Sequence, residues 1–240
     1  AVANFYFRNL GKQAKSNDLF SNHALLAGIG LNGSGKAEAC MGVACGDVNG
    51  DSRVDIYATN FYMESNTLFV QQPDGSFQDE TLERGLYDST LPLLGFGTQF
   101  IDADLDGDLD LVGTNGDVGR FPNPHRPYRM RPCVHENRGQ GHFVELDSEQ
   151  LGDFFLGKYL GRGLAKLDWN RDGSEDLVVS HLDAPVALLT NVSQQKNHFL
   201  SIRLVGVTAS RDAIGTNVLL TNGDVTTLRQ QTAGDGYQAS

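Results

Sequence analysis

The nine residues Asp102-Ala-Asp-Leu-Asp-Gly-Asp-Leu-Asp110 constrain this chain more than any other stretch. Carboxylates stand at every second position, with a glycine at the sixth. Such crowding of like charge is unfavourable in a free chain, and a hard cation offsets it. Calcium takes about six to eight oxygens, which a short loop can supply from alternate side chains plus one backbone carbonyl. On that basis Asp102, Asp104, Asp106 and Asp110 give carboxylate oxygens and the carbonyl of Asp108 fills the seventh position. Gly107 lets the loop turn sharply.

The pattern recurs. Asp47-Val-Asn-Gly-Asp-Ser-Arg-Val-Asp55 offers Asp47, Asn49, Asp51 and Asp55 at the same offsets, with Arg53 at the seventh position. Asp168-Trp-Asn-Arg-Asp-Gly-Ser-Glu-Asp176 offers Asp168, Asn170, Asp172 and Asp176, with Ser174 at the seventh. A single acidic loop is as well explained by a solvated turn, whereas three copies with shared flanks favour a cation. Ser52 replaces glycine in the first copy, so weaker binding is expected there. An EF-hand needs a bidentate Glu at its twelfth position and flanking helices. The twelfth residues here are Ala58, Gly113 and Val179, between strand-like flanks.

The repeat extends beyond its loop. A Gly-bearing strand precedes each copy (42–46, 95–101 and 161–167), and an apolar strand follows it (55–59, 110–114 and 176–180). A third strand and a turn come next, as in Asn66-Thr-Leu-Phe-Val70 with Pro73-Asp-Gly-Ser-Phe77. Glu136-Asn-Arg-Gly-Gln-Gly-His-Phe143 repeats that turn, and Asn4-Phe-Tyr-Phe-Arg-Asn9 reads as the third strand of an earlier unit. The loops start at Asp47, Asp102 and Asp168, a pitch of 55 and then 66 residues. This spacing predicts about four short strands per unit, and radial stacking into a β-propeller would bury both faces of each unit. The expected class is all-β: a partial arc of propeller blades with calcium-binding loops, then a small C-terminal β module. The boundaries expected are 1–37 for the end of a preceding blade and a linker, 38–93 and 94–160 for two blades, 161–196 for a partial blade, and 197–240 for the last module. In that module His198 to Val205 and Asn217 to Thr221 read as strands. Asn222-Gly223 reads as a type I′ turn into Asp224 to Arg229.

The second unit carries an insertion from Asp117 to Cys133 with four prolines, which forbid regular structure. Arg126, Tyr128, Arg129 and Arg131, with Arg120 and Phe121, form a basic aromatic segment. It suits either an anionic or carbohydrate ligand or a strap whose arginines pair with neighbouring acids. Three cysteines, Cys40, Cys45 and Cys133, are too few for a disulfide scaffold. Cys40 and Cys45 could bridge or simply pack as small residues.

The net charge of −11 argues against nucleic acid or an anionic membrane as main partner. No apolar run of about 18 residues is present to span a bilayer. The chain reads as a piece of a longer protein, with other blades of the same protein among its expected partners.

Together the loops and their Gly-rich leading strands resemble FG-GAP/VCBS repeats, the blades of integrin-α-like propellers. Residues 197–240, with Arg211-Asp-Ala-Ile-Gly215 and Ala233-Gly-Asp-Gly-Tyr237, resemble the ASPIC/UnbV domain that follows such repeats in bacterial homologues of cartilage acidic protein. The resemblance implies a secreted propeller, extracellular or periplasmic, stabilised by Ca2+ at three sites, the first weak. It implies a non-enzymatic module for adhesion or recognition of protein or glycan ligands. The alternative is a propeller enzyme acting on polysaccharide, by lyase or hydrolase chemistry. Its candidate groups would be His181 with Asp183, and His125 or His135 beside the arginine segment. No nucleophile elbow, phosphate loop or HExxH sequence supports it, so an enzyme is the less favoured reading.

Overall fold

The computed structural model describes residues 1–11, 19–121, 123, 125–194, 197–208, 210–234 and 237. It is all-β, built from small antiparallel sheets of consecutive strands. A hairpin pairs β1 (Phe7–Asn9) with β2 (Phe20–Asn22). The first four-stranded sheet runs β3 (Val43–Gly46), β4 (Asp55–Ala58), β5 (Thr67–Gln71) and β6 (Phe77–Asp79). The second runs β7 (Gly95–Ile101), β8 (Asp110–Asn115), β9 (Cys133–Asn137) and β10 (Phe143–Glu145). A three-stranded sheet follows: β11 (Gly161–Leu167), β12 (Asp176–His181) and β13 (Ala187–Leu189). The last hairpin joins β14 (Asn217–Asn222) to β15 (Val225–Gln230). Each acidic nonapeptide therefore occupies the turn between the first and second strands of its sheet.

The three sheets lie face to face, and the alternation of side chains in their strands shows why. Leu111 of β8 joins Ala44, Tyr57, Leu68 and Phe100 in a core between the first and second sheets. Its neighbour Val112 joins Ile101, Leu164, Leu177 and Val179 between the second and third. Every residue of β7 and β8 is buried. A sheet covered on both faces needs apolar residues in both registers, and its buried polar residues need partners: Thr98 donates to the Val112 carbonyl and Gln99 to the Leu164 carbonyl.

The first strands of the sheets stand side by side, β3 against β7 and β7 against β11. At one end buried threonines bind them: Thr59 donates its hydroxyl to the Phe96 carbonyl (2.8 Å), and Thr114 donates to the Arg162 carbonyl (3.3 Å). The outer strands follow a repeat too. Phe77 N–H donates to the Ala27 carbonyl and Phe143 N–H to the Arg84 carbonyl, each acceptor lying just past the last strand of the preceding unit. Residues 24–29 thus hold the place before the first sheet that residues 81–86 hold before the second.

Two local expectations are corrected. His198 to Val205 is not a strand: Phe199, Leu200 and Ile202 are exposed, and among the described residues no strand pairs with it. Period-two alternation does not make a strand without a hydrogen-bonded partner. The β14–β15 turn is Gly223-Asp224, with Asn222 paired to Val225 and positive φ at Gly223 but not Asp224. Glycine at the first central position with positive φ there alone marks a II′ turn, not I′. The second strand accordingly starts one residue later, which shifts the pairing by two residues, Thr226 facing Thr221 and not Leu219, and leaves its side chains on the same faces. Part of the Ala233-Gly-Asp-Gly-Tyr237 motif, and Pro122 and Pro124 of the insertion, lie outside the described residues.

Candidate metal centre

The three acidic loops share one hydrogen-bond plan. The first carboxylate accepts the backbone N–H of the sixth residue: Ser52 to Asp47 (2.8 Å), Gly107 to Asp102 (3.4 Å) and Gly173 to Asp168 (3.0 Å). The fifth carboxylate accepts the N–H of the seventh: Arg53 to Asp51 (2.9 Å), Asp108 to Asp106 (2.9 Å) and Ser174 to Asp172 (2.8 Å). The ninth accepts the N–H of the second: Val48 to Asp55 (3.0 Å), Ala103 to Asp110 (3.2 Å) and Trp169 to Asp176 (3.1 Å). These bonds give the three loops the same curl.

The curl needs left-handed backbone at two places. The fourth residues Gly50, Leu105 and Arg171 have φ of 74°, 57° and 61°, and the sixth residues Ser52, Gly107 and Gly173 have 65°, 98° and 89°. Each loop spends its one glycine on only one of these positions. The first loop differs from the others in where the glycine sits, not in its backbone course. A left-handed L-residue costs about 1–2 kcal/mol, and the added backbone entropy of glycine takes back about 0.5–1 kcal/mol. Ser52→Gly should therefore stabilise the protein by about 0.5–1 kcal/mol in urea unfolding, and an unchanged midpoint would count against strain there.

In the second loop, carboxylate oxygens of Asp102, Asp104 and Asp106 lie within 4.8 Å of one another. Two oxygens bound to one calcium stand at most about 5 Å apart, given contacts of roughly 2.3–2.6 Å. The donors are oxygens only, so the set fits a hard divalent cation and offers nothing to a thiophilic one. Burial pushes Asp47, Asp55, Asp102 and Asp110 up from the usual carboxylate range, Asp55 and Asp110 to about 7. In Asp55 and Asp110 that burial outweighs the two backbone N–H groups each accepts, and neighbouring loop aspartates add to the rise. A bound cation would act in the opposite sense.

The loops differ in competing positive charge. Arg53 turns its guanidinium onto Asp51 within the first loop. In the second, Arg229 of β15 reaches Asp102 at 3.5 Å and donates to the Gly107 carbonyl at 3.2 Å. The last hairpin thus rests on the loop with the densest charge. Phe199 packs where a Cβ on Gly173 would stand, against the third loop.

The arginine segment is engaged within the chain. Arg126 holds the buried Asp117 with two nitrogens and lies over the rings of Phe121 (4.1 Å), Phe61 (4.8 Å) and Tyr62 (5.3 Å). Arg129 pairs with Asp183 (2.6 Å), Arg131 with Glu145, and Arg120 lies over Tyr128 (5.1 Å). The alternative chemistry also loses its dyad, because Asp183 serves Arg129 while His181 Nδ1 meets the Pro185 carbonyl at 2.9 Å. His181 lies against the rings of Phe154 and Tyr159, tilted by 47° and 36°. His135 is fully buried, its Nε2 2.9 Å from the Ser89 hydroxyl, and burial lowers its pKa to about 4. None of the three cysteines is in a disulfide. Cys40 donates to Asn60 Oδ1 at 2.9 Å, and burial pushes its thiol up to about 11, far from a reactive thiolate.

The residues that sequence reasoning missed are Asn137 and Asn191. Their backbone N–H groups donate to the second oxygens of Asp110 (2.9 Å) and Asp176 (2.8 Å), as Gln71 N–H does to Asp55 (2.9 Å). An Asn-x-Gly step ending β9, and an Asn-x-Ser step two residues past β13, were the available signal.

Among the described residues, no helix is long and apolar enough to cross a membrane. No curated protein matches the chain. A family model described as an FG-GAP-like repeat matches residues 47–113, from the first residue of the first acidic loop through the second loop into β8.

Proposed function

We propose that the chain is an arc of FG-GAP/VCBS propeller blades whose three acidic loops bind Ca2+, and that it serves outside the cell as a non-enzymatic recognition or adhesion module. The observation that carries this reading is the common curl of the three loops, with oxygens of Asp102, Asp104 and Asp106 converging in the second. The FG-GAP-like match over 47–113 and the side-by-side first strands β3, β7 and β11 support the propeller arc.

Calcium would be structural here, tying the two strands flanking each loop and neutralising carboxylates that otherwise repel. The remaining oxygen lone pairs of the first, third, fifth and ninth residues, and the seventh carbonyl, would hold it. Sites of extracellular modules bind at about 10⁻⁴–10⁻³ M, matched to a compartment rich in the ion. Extracellular or periplasmic placement, and kinship of residues 197–240 with the ASPIC/UnbV domain, belong to the same proposal. With its arginines paired internally, the 117–133 segment acts as a strap between units, so a protein or glycan ligand would be met elsewhere on the arc.

Calorimetric titration with calcium tests the reading. Two stronger sites and a weaker first one are expected, because Arg53 belongs to the first loop and holds Asp51 more closely than Arg229 holds Asp102 in the second. Asp106→Ala should remove one site. Each saturated loop should add about 2–3 kcal/mol at calcium two orders of magnitude above its Kd, seen as a higher melting temperature than in EDTA. Neither heat nor a shift in melting would leave the loops as solvated turns.

A further inference from the structure

The three loops are joined by one continuous line of hydrogen bonds. Asp176 Oδ1 accepts Asn191 N–H (2.8 Å), and Asn191 Nδ2 donates to the Ala103 carbonyl in the second loop (2.8 Å). Ala103 N–H donates to Asp110 Oδ2 (3.2 Å), and Asp110 Oδ1 accepts Asn137 N–H (2.9 Å). Asn137 Nδ2 then donates to the Val48 carbonyl in the first loop (2.9 Å), and Val48 N–H donates to Asp55 Oδ2 (3.0 Å). Each link is built alike. The ninth aspartate of one unit holds the backbone of an asparagine, whose side chain reaches back to the second residue of the preceding loop. That second residue binds the ninth aspartate of its own loop through its other face.

The chemistry couples the loops along this line. An aspartate fixed by a cation holds its asparagine N–H in one place. The planar amide then aims its donor at a carbonyl that belongs to a curled loop and not to an open one. We propose that Asn137 and Asn191 are positioning residues through which cation binding in one loop strengthens binding in the neighbouring loop, so that the sites fill cooperatively. This inference rests on the calcium reading above. Coupling of this kind is reciprocal, so a filled second loop favours the third to the same degree.

The test follows the backbone amides of the second loop by NMR during calcium titration of the whole chain. Asp172→Ala, which disables the third loop, should raise the half-saturation of the second by on the order of fivefold. Asn191→Ala should do the same without touching any loop side chain. Asn191 is only half buried, so this variant is expected to fold. The double variant should be no worse than either single one, because both cut the same line. Additive losses, or an unchanged second loop in either single variant, would overturn the proposal. If no amide of the wild-type second loop responds to calcium, the calcium reading fails, and the line is then judged by amide exchange in the metal-free protein. Asn191→Ala should speed exchange at Ala103 and, one link further, at Asn137. Unchanged exchange at Asn137 would end it.

Discussion

Asn137→Ala should unfold at much lower urea than the wild type, with a loss of about 3–5 kcal/mol. Asn137 is 2% exposed and its side chain makes four hydrogen bonds. Its Nδ2 donates to the carbonyls of Val48 (2.9 Å) and Leu109 (3.2 Å), and its Oδ1 accepts from Gly139 (3.0 Å) and Gly141 (3.1 Å). Truncation leaves these groups without that partner, and a buried polar group left unpaired costs about 1–3 kcal/mol. Two groups belong to the β9–β10 turn and two to acidic loops, so turn and loops should loosen together. A loss under about 1 kcal/mol would mean that water replaces the amide easily, against the burial described here.

Gly97→Ala should be the other severe change. A Cβ there would stand 2.6 Å from the Arg162 carbonyl oxygen, 2.6 Å from Leu164 N and 2.8 Å from Leu164 Cβ. Backbone atoms of β11 cannot swing aside as a side-chain end would, so β7 and β11 must part. Overpacking costs about 1–3 kcal/mol where side chains can adjust, and here about 3 kcal/mol or more is expected. Gly119→Ala is the control, since its Cβ would meet only the Phe121 ring at 3.4 and 3.5 Å. Equal stability of the two variants would show that the second and third sheets do not approach as closely as described.

These effects show which level of structure wrote which feature. The strands around the loops, the four-strand plan and the curl-forming acids are local patterns, readable from spacing and alternation. The left-handed fourth residue was not legible, because Leu105 and Arg171 give no hint of positive φ; only the geometry shared with Gly50 reveals it. The segment from His198 to Val205 misled because alternation is necessary for a half-buried strand but does not supply a neighbour. The arginine segment left ligand and strap both open because two of its partners, Glu145 and Asp183, lie outside it along the chain.

The sequence by itself determined the acidic loops, since the curl of a nine-residue turn depends on residues within one turn of one another. Only the tertiary structure decided what the second oxygen of each ninth aspartate does, which arginines remain available, and how the loops are joined. Asn191 reaches Ala103 and Asn137 reaches Val48 because face-to-face packing of the sheets brings distant segments together, and no periodicity along the chain encodes such a distance.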